Sequence, residues 1–596
     1  MSLSKKEFLV LREVARDDQR LTQREIARRC GISIGGVNAA LRSCEEFCLV
    51  EKGRVTPEGR AALEPYRVDN AVIMAAGLSS RFAPISYEKP KGVLRVRGEV
   101  LVERQVRQLH EAGIDDVTVV VGYKKEYFFY LAEKLGVRIV VNPEYAARNN
   151  NSSLMAVRGR LGSTYVCSSD DYFSVNPFNR YEYSAYYACV HVDGPTDEWC
   201  VTCGAHEVIS SVAVGGRDAD VMLGHVYFDR DFSARFSRIL QDEYDRPETA
   251  GKLWESIYLD HVDELPMRAQ VYPDGVIHEF DSLDELRDFD PHFIENVDSS
   301  ALDNITRVLG CERDQIADFY PLKQGLTNLS CHFSANGHEY VYRHPGVGTD
   351  KLVDRRAESA ALHVAQRLGL DSTYVYQDPD QGWKISRFVP DCHPLDAHDP
   401  QQLARAMHMA RELHEQDVTV DRTFDFYEQG RGYERSLREH GPIEIGGYDE
   451  LADQARRVSE LVHADHAPVC LCHNDFFSLN FLVDEKDRCS LIDWEYAGMS
   501  DYANDFGTFC VCCELSNDEV EQALEDYFGR RPTDAELRHN LAHVGLAGWC
   551  WYVWALLKEA EGDAVDEWLY IYYSYATRYL GRALSLYERA GAEVAR

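Results

Sequence analysis

The sequence predicts a multidomain chain of α/β and α+β class, and three patterns carry that expectation. Residues 1–68 alternate apolar helices with a glycine turn and close on two short strands. From Ala71 a buried strand, a Gly/Ser turn, a helix and a second strand follow in the order of a parallel sheet. Far downstream, two short apolar runs flank a polar turn and carry Asn480 and Asp493 at their outer ends. A length of 596 residues suits about three or four domains. Short linkers near 68 and 296 give units 1–68, 69–295 and 296–596.

Hydrophobic residues make up 45% of the chain, ordinary for a soluble globular protein. The net charge of −35 argues against a body that coats nucleic acid or an anionic membrane. No charged-then-apolar leader follows Met1. The longest apolar run, 544–557, is fourteen residues interrupted by glycines, too short for a bilayer. A cytoplasmic protein with no membrane partner is expected. The seventeen cysteines are scattered, and the C-x-x-C at Cys200-Val201-Thr202-Cys203 has no second pair at zinc spacing. Reduced core thiols are the better reading.

In the first unit, an apolar helix (Lys5–Arg16) precedes a second helix at which Thr22 and Glu25 form a capping box. Gly31-Ile32-Ser33 makes a turn, a helix runs over 33–47, and 49–56 reads as a two-strand wing. Helix, turn, helix and wing resemble a winged helix-turn-helix domain. Residues 1–69 hold thirteen Lys/Arg against eleven Asp/Glu, a net of +2 against −37 for the remainder. The helix that would enter a major groove offers Ser33, Asn38 and Arg42. Two readings stand: weak DNA binding, or a helical docking domain without DNA contact.

The second unit opens with Ala71-Val72-Ile73-Met74-Ala75-Ala76-Gly77-Leu78-Ser79-Ser80-Arg81-Phe82, a buried strand entering a turn whose backbone N–H groups could wrap phosphates. Lys89-Pro90-Lys91, a helix (100–112) and a strand (116–121) follow. This pattern resembles the nucleotidyltransferases that join a nucleoside triphosphate to a phosphorylated alcohol or sugar. The resemblance implies a Rossmann-like sheet and a triphosphate gripped by backbone near Ala76 and Gly77, with Arg81 and Lys91 in catalytic roles. Ser79 departs from the glycine common there. Asp170, at the end of Tyr165-Val166-Cys167-Ser168-Ser169-Asp170-Asp171, matches the family's Mg²⁺-binding aspartate. Asn149, Asn150 and Ser153 stand where base or ribose is read. Asp281 matches a second metal ligand, or caps the helix that Ser282 and Glu285 begin. Thr196-Asp197-Glu198-Trp199, Tyr227 and Trp254-Glu255 are similar to the phosphocholine cytidylyltransferase members. Aromatic faces with nearby acids suit a quaternary ammonium at roughly 0.5–2 kcal/mol per ring. The same rings also suit a core.

The third unit centres on Cys472-His473-Asn474-Asp475-Phe476-Phe477-Ser478-Leu479-Asn480 and Leu491-Ile492-Asp493-Trp494-Glu495. Asp475 could accept the proton of an attacking hydroxyl, while Asn480 and Asp493 could hold Mg²⁺ against nucleotide phosphates. These motifs resemble the choline/ethanolamine kinase branch of the aminoglycoside-phosphotransferase-like kinases, which implies a bilobal protein-kinase-like domain. Its smaller lobe would span 318–389 and its helical lobe would run from Pro400 onward. Upstream, Gln324-Gly325-Leu326-Thr327-Asn328 is similar to the family's phosphate turn. Arg343 lies on a strand and would reach the phosphates, paired with Glu358 on the next helix. Glu495 is expected near substrate, and Asp501 and Asp505 open the next helix, where the resemblance implies acids that support the loop or touch substrate. Trp551 and Trp554, three apart on one helix face, would close a headgroup pocket or form a buried stripe.

Together the resemblances imply a bifunctional enzyme using ATP, CTP and Mg²⁺, with choline and phosphocholine as small-molecule substrates. One rival is an ethanolamine or sugar kinase fused to a matching nucleotidyltransferase. Another is a transcription regulator whose enzyme-like domains sense metabolites.

Overall fold

A computed structural model describes residues 3–16, 21–322, 328–346, 353–562 and 565–594. Thr327 and the preceding part of the expected phosphate turn lie outside the described residues. The chain forms two compact units, 1–306 with 312–321, and 307–311 with 322–596. Residues 296–306 and 312–321, assigned from sequence to the third unit, thus pack in the first. There Glu88 accepts from the Ala301 N–H at 3.1 Å.

The first unit begins with helices Lys5–Arg16, Gln23–Cys30 and Ile34–Glu46 and a wing, Val50–Glu51 with Arg54–Val55. The Thr22/Glu25 capping box forms, and Ser33 caps the third helix. These helices do not stand apart from the rest of the unit. Phe8 and Tyr66 pack against Tyr183, the two tyrosines stacked at 5.6 Å, and Arg12 pairs with Glu182 at 3.2 Å. The buried carboxylate of Glu182 also accepts from the Tyr165 hydroxyl at 2.8 Å.

The main sheet has seven strands in the order Arg268–Tyr272, Tyr186–Cys203, Ile209–Phe228, Thr164–Ser168, Asn70–Ala75, Val117–Val121 and Arg138–Val141. The last four are parallel to one another, with Ala71 opposite Val117 and Tyr165. The Val/Ile-rich runs of the inner strands Asn70–Ala75 and Val117–Val121 are buried on both faces, as a sheet between helices requires. Tyr186–Cys203 and Ile209–Phe228 make a long antiparallel hairpin that the sequence reading did not anticipate. Its outer half alternates exposed and half-buried positions, so its apolar signal is weak.

In the second unit, Asn328–Ala335, His338–Pro345, Lys384–Arg387 and Tyr374–Gln377 form an antiparallel sheet beside helix Arg355–Leu368. Asp354 caps that helix through the N–H groups of Arg356 and Ala357. A helical lobe follows from Pro400–His414 onward. Its centre is the helix Asp534–Glu561, packed on Asp566–Val594. A Cβ on Gly548 would come within 2.6 Å of the Ala576 nitrogen, so the glycine permits this close approach. Among the described residues, no helix is long and apolar enough to cross a membrane.

Candidate active sites

Strands Asn70–Ala75 and Thr164–Ser168 end side by side, as parallel pairing dictates, and open on a cavity of about 620 Å³. Its walls include Ala76, Gly77, Arg81, Lys91, Asn150, Ser153, Asp170 and Asp281. A Cβ on Gly77 would meet nothing within 4 Å among the described residues, so the backbone there is open to a ligand. Ser79 adopts φ +52°, the left-handed region, at a cost of about 1–2 kcal/mol for a residue with a Cβ. The departure from glycine therefore falls where the backbone favours glycine.

Lys91 is buried, with its ammonium 2.7 Å from Asp170, bonded to the Phe280 carbonyl and 4.3 Å from the Phe82 ring centre. Burial works to raise the Asp170 pKa, but Lys91 outweighs it and keeps the carboxyl below its usual range. Asp170, Asp171 and Glu279 each bring a carboxylate oxygen within 4.8 Å of the others. Among the described residues, Oδ1 of Asp170 and Oδ1 of Asp171 are buried without a partner, so this donor set fits a divalent cation. Glu279 lines the cavity and is exposed to it. Its enclosure there, and next the charge of Asp170, push its pKa up to about 8. Glu279 was missed in the sequence, where Asp281 was chosen instead. Asp281 pairs with Arg81 at 2.9 Å, while Ser282 caps the helix.

A second cavity of about 620 Å³ shares Arg81, Asn150, Glu279 and Asp281 with the first and adds Glu198, Trp199, Tyr187, Trp254 and Glu255. Trp254 lies parallel to Tyr187 with ring centres 5.9 Å apart. Asn150 links the two cavities, accepting from the Trp254 N–H at 2.7 Å and donating to Glu255 at 3.1 Å. Burial pushes Glu255 up to about 7.

In the second unit, the expected hairpin forms as Phe481–Val483 with Cys489–Leu491, and the Ile492 N–H donates to the Asn480 carbonyl. That pairing sets Asn480 and Asp493 at its outer ends. Asn480 Nδ2 donates to the Asp475 carbonyl at 2.7 Å and to Oδ2 at 2.9 Å. Its amide oxygen has no partner among the described residues, leaving it for a cation. Burial, and next the charge of Asp493, push Asp475 up to about 7. Asp505 accepts from the N–H groups of His473 and Asn474 at 2.9 and 2.6 Å, holding this loop. Arg343 pairs with Glu358 on one side and with Asp493 at 2.9 Å on the other. Glu358 is fully buried among Arg343, Arg355 and Lys384, the three positive charges that keep it ionised.

Residues 71–173 match the MobA-like NTP transferase domain, 318–540 the phosphotransferase enzyme family, and 3–46 a winged helix-turn-helix DNA-binding domain. Choline-phosphate cytidylyltransferase of Streptococcus pneumoniae is 31% identical over 217 residues, which are 36% of this chain and 95% of that protein. 2-Aminoethylphosphonate cytidylyltransferase of Lancefieldella rimae is 33% identical over 229 residues, 38% of this chain and 93% of the other. The chain belongs to the family of these cytidylyltransferases. Its second unit carries a phosphotransferase domain. Protein LicA of Haemophilus influenzae is 24% identical over 274 residues, 44% of this chain and 99% of its own.

The substrate-pocket expectations for Tyr227, Glu495 and Asp501 need correction, and Trp551 and Trp554 take the buried-stripe alternative. In the transferase, Tyr227 is 2% exposed, bonds Ser163 at 2.8 Å and packs on the far face of the sheet. Successive strand residues face opposite sides, so Tyr227 is out of phase with Val226, which lines the pocket. Tyr187 is the ring that the sequence reading missed. In the kinase domain, Glu495 is 3% exposed and turned to Asn328, whose Nδ2 donates to it at 2.9 Å. Asp501 is committed to His539 at 3.0 Å. Trp551 is buried in the main core and meets Phe426 and Trp554 edge-on, while half-buried Trp554 packs on that core, as a stripe does. Tyr433, Tyr496 and Tyr572 are the rings close enough to Asp475 to feel its charge.

Proposed function

We propose that the chain makes CDP-choline in two steps. The kinase domain phosphorylates choline with ATP, and the transferase domain couples the phosphocholine to CTP, releasing pyrophosphate. What supports this reading is a cytidylyltransferase, similar over nearly the whole length of the pneumococcal choline-phosphate enzyme, joined to a phosphotransferase whose product would be its substrate.

In the first step Asp475 takes the proton of the choline hydroxyl as its oxygen bonds the γ-phosphorus and the bond to the β-phosphate oxygen breaks. Arg343 offsets phosphate charge while Glu358 fixes its guanidinium. In the second, a phosphocholine oxygen bonds the α-phosphorus of CTP and pyrophosphate leaves, with Arg81 and Lys91 holding the triphosphate charge. Mg²⁺, held by Asn480 and Asp493 in one domain and by Asp170 and Glu279 in the other, would neutralise phosphate charge at each centre. Trp199, Tyr187 and Trp254 would offer ring surface to the trimethylammonium.

The Lancefieldella relative favours a second reading, in which the transferase takes a primary ammonium as in 2-aminoethylphosphonate. Glu198 and Glu255 would then accept its N–H bonds. Incubating the purified chain with ATP, CTP, Mg²⁺ and choline, ethanolamine or 2-aminoethylphosphonate separates the readings by the mass of the cytidine product. CDP-choline formed fastest is expected. A product from ethanolamine or 2-aminoethylphosphonate alone would overturn the choline assignment.

A further inference from the structure

The second unit contains a polar cluster that neither proposed reaction uses. His539 and His543 stand four residues apart on the helix Asp534–Glu561, so both rings leave the same face. The ring centres are 4.9 Å apart. Asp501, at the end of strand Gly498–Asp501, reaches both. His539 Nε2 is 3.0 Å from its Oδ1, and His543 Nε2 is 3.6 Å from its Oδ2. One donor atom from each residue lies within 4.8 Å of the others.

An ordinary buried ion pair accounts for His539 and Asp501. It accounts only in part for His543, which is 4% exposed, stands at the long distance of 3.6 Å from the same carboxylate and, among the described residues, makes no hydrogen bond through either ring nitrogen. Buried polar groups left unpaired are rare unless something else satisfies them. We propose that His539, His543 and Asp501 bind a zinc ion.

Two imidazole nitrogens and a carboxylate oxygen suit zinc, and ligand atoms about 2.1 Å from a tetrahedral zinc stand about 3.4 Å apart. From the shared oxygen Oδ2 of Asp501, the separations of 3.1 Å to His539 Nε2 and 3.6 Å to His543 Nε2 lie on either side of that spacing. The outer groups fit as well. His539 Nδ1 lies 2.9 Å from Asp465, the carboxylate partner that fixes the tautomer of a metal-bound histidine. The Tyr587 hydroxyl donates to the same Asp465, and Arg538 stands 3.7 Å from it. The nearby His414, Cys470 and Cys472 form a weaker candidate, because both His414 nitrogens are engaged by Tyr527 and Asp505. The zinc would clamp the strand ending at Asp501 to the helix Asp534–Glu561. Asp505 follows four residues later and holds the backbone of His473 and Asn474, so the clamp would steady the loop that carries Asp475.

The test uses the untagged full chain, dialysed against micromolar zinc and then against zinc-free buffer, with metal measured by mass spectrometry. Wild type should keep about one equivalent, His543→Gln should lose it, and Asp170→Asn, altered in the transferase cavity, should keep it. Cobalt(II) in place of zinc should give the visible bands of a tetrahedral site in wild type and not in His543→Gln. The wild type alone supplies a check that no variant can spoil. Zinc at about a hundred times its dissociation constant should raise Tm by roughly 5 °C, reversed by chelator. Wild type holding no more zinc than His543→Gln, or showing neither cobalt bands nor a Tm shift, overturns the proposal.

Discussion

Replacing Asp475 by Asn changes one atom of the kinase site and leaves its geometry. The amide oxygen still accepts from Asn480 Nδ2, which lies 2.9 Å from Asp475 Oδ2. What is lost is the acceptor for the hydroxyl proton, and a positioned general base contributes about 10²- to 10⁴-fold, or roughly 3–5 kcal/mol of barrier. We expect kcat for phosphocholine formation to fall by that factor, with KM for choline changed less than threefold. CDP-choline synthesis from supplied phosphocholine should be untouched. Stability should move the other way. The Asp475 pKa is raised from 3.8 to about 7, so the folded state holds a proton that the unfolded chain has already released. Wild-type stability from this group is complete below about pH 4 and is lost as pH rises toward 7. Full burial would make that loss about 4 kcal/mol. The half-buried side chain is screened, and about 1–2 kcal/mol is expected. Asp475→Asn should therefore melt at the wild-type temperature near pH 4 and above it at pH 8 without Mg²⁺. Steady-state kinetics and scanning calorimetry read the two effects. A variant keeping more than a tenth of wild-type kcat would remove Asp475 from the proton-accepting role.

Lys91→Met should abolish CTP use and leave kinase turnover intact, as separate assays with choline and phosphocholine would show; equal loss of both would point to misfolding. Because Glu279 must shed a proton held up to about pH 8, Mg²⁺ affinity at the transferase should rise between pH 6.5 and 8. Titration calorimetry of Glu279→Gln should show a flatter dependence. Arg343→Lys keeps the charge but cannot bridge Glu358 and Asp493 with one planar group, so KM for ATP should rise about tenfold or more in ATP titrations. Binding of the full chain to DNA, followed by fluorescence anisotropy, should be weak, vanish with added salt and fall on Arg42→Glu. Salt-independent binding would exclude the helix Ile34–Glu46 as the contact.

The clustering of the groups proposed to handle phosphate was legible because their spacing is local. Asp475, Asn480 and Asp493 sit on one short loop and hairpin, and Arg343 and Glu358 on consecutive elements. Gly77, Arg81 and Lys91 likewise follow one strand into its turn. Groups joined only by long-range contacts were not legible. Glu279 reaches Asp170 from more than a hundred residues away. Tyr187 meets Trp254 through the long hairpin, whose register settles which of Tyr186 and Tyr187 faces the pocket. The aromatic stripe at Trp551 and Trp554 was read correctly as one helix face, but that spacing holds for core and pocket alike.

The packing of the N-terminal helices on the transferase has a consequence for anyone who trims this chain. A cut after residue 68 would strip Phe8 and Tyr66 from the ring of Tyr183 and take Arg12 away from Glu182. The shortened enzyme would inherit a greasy scar beside an orphaned anion wedged against the hydroxyls of Tyr165 and Tyr186. Such a scar invites clumping, so poor behaviour of the truncated protein would speak of a missing lid on its flank and not of a regulatory domain removed.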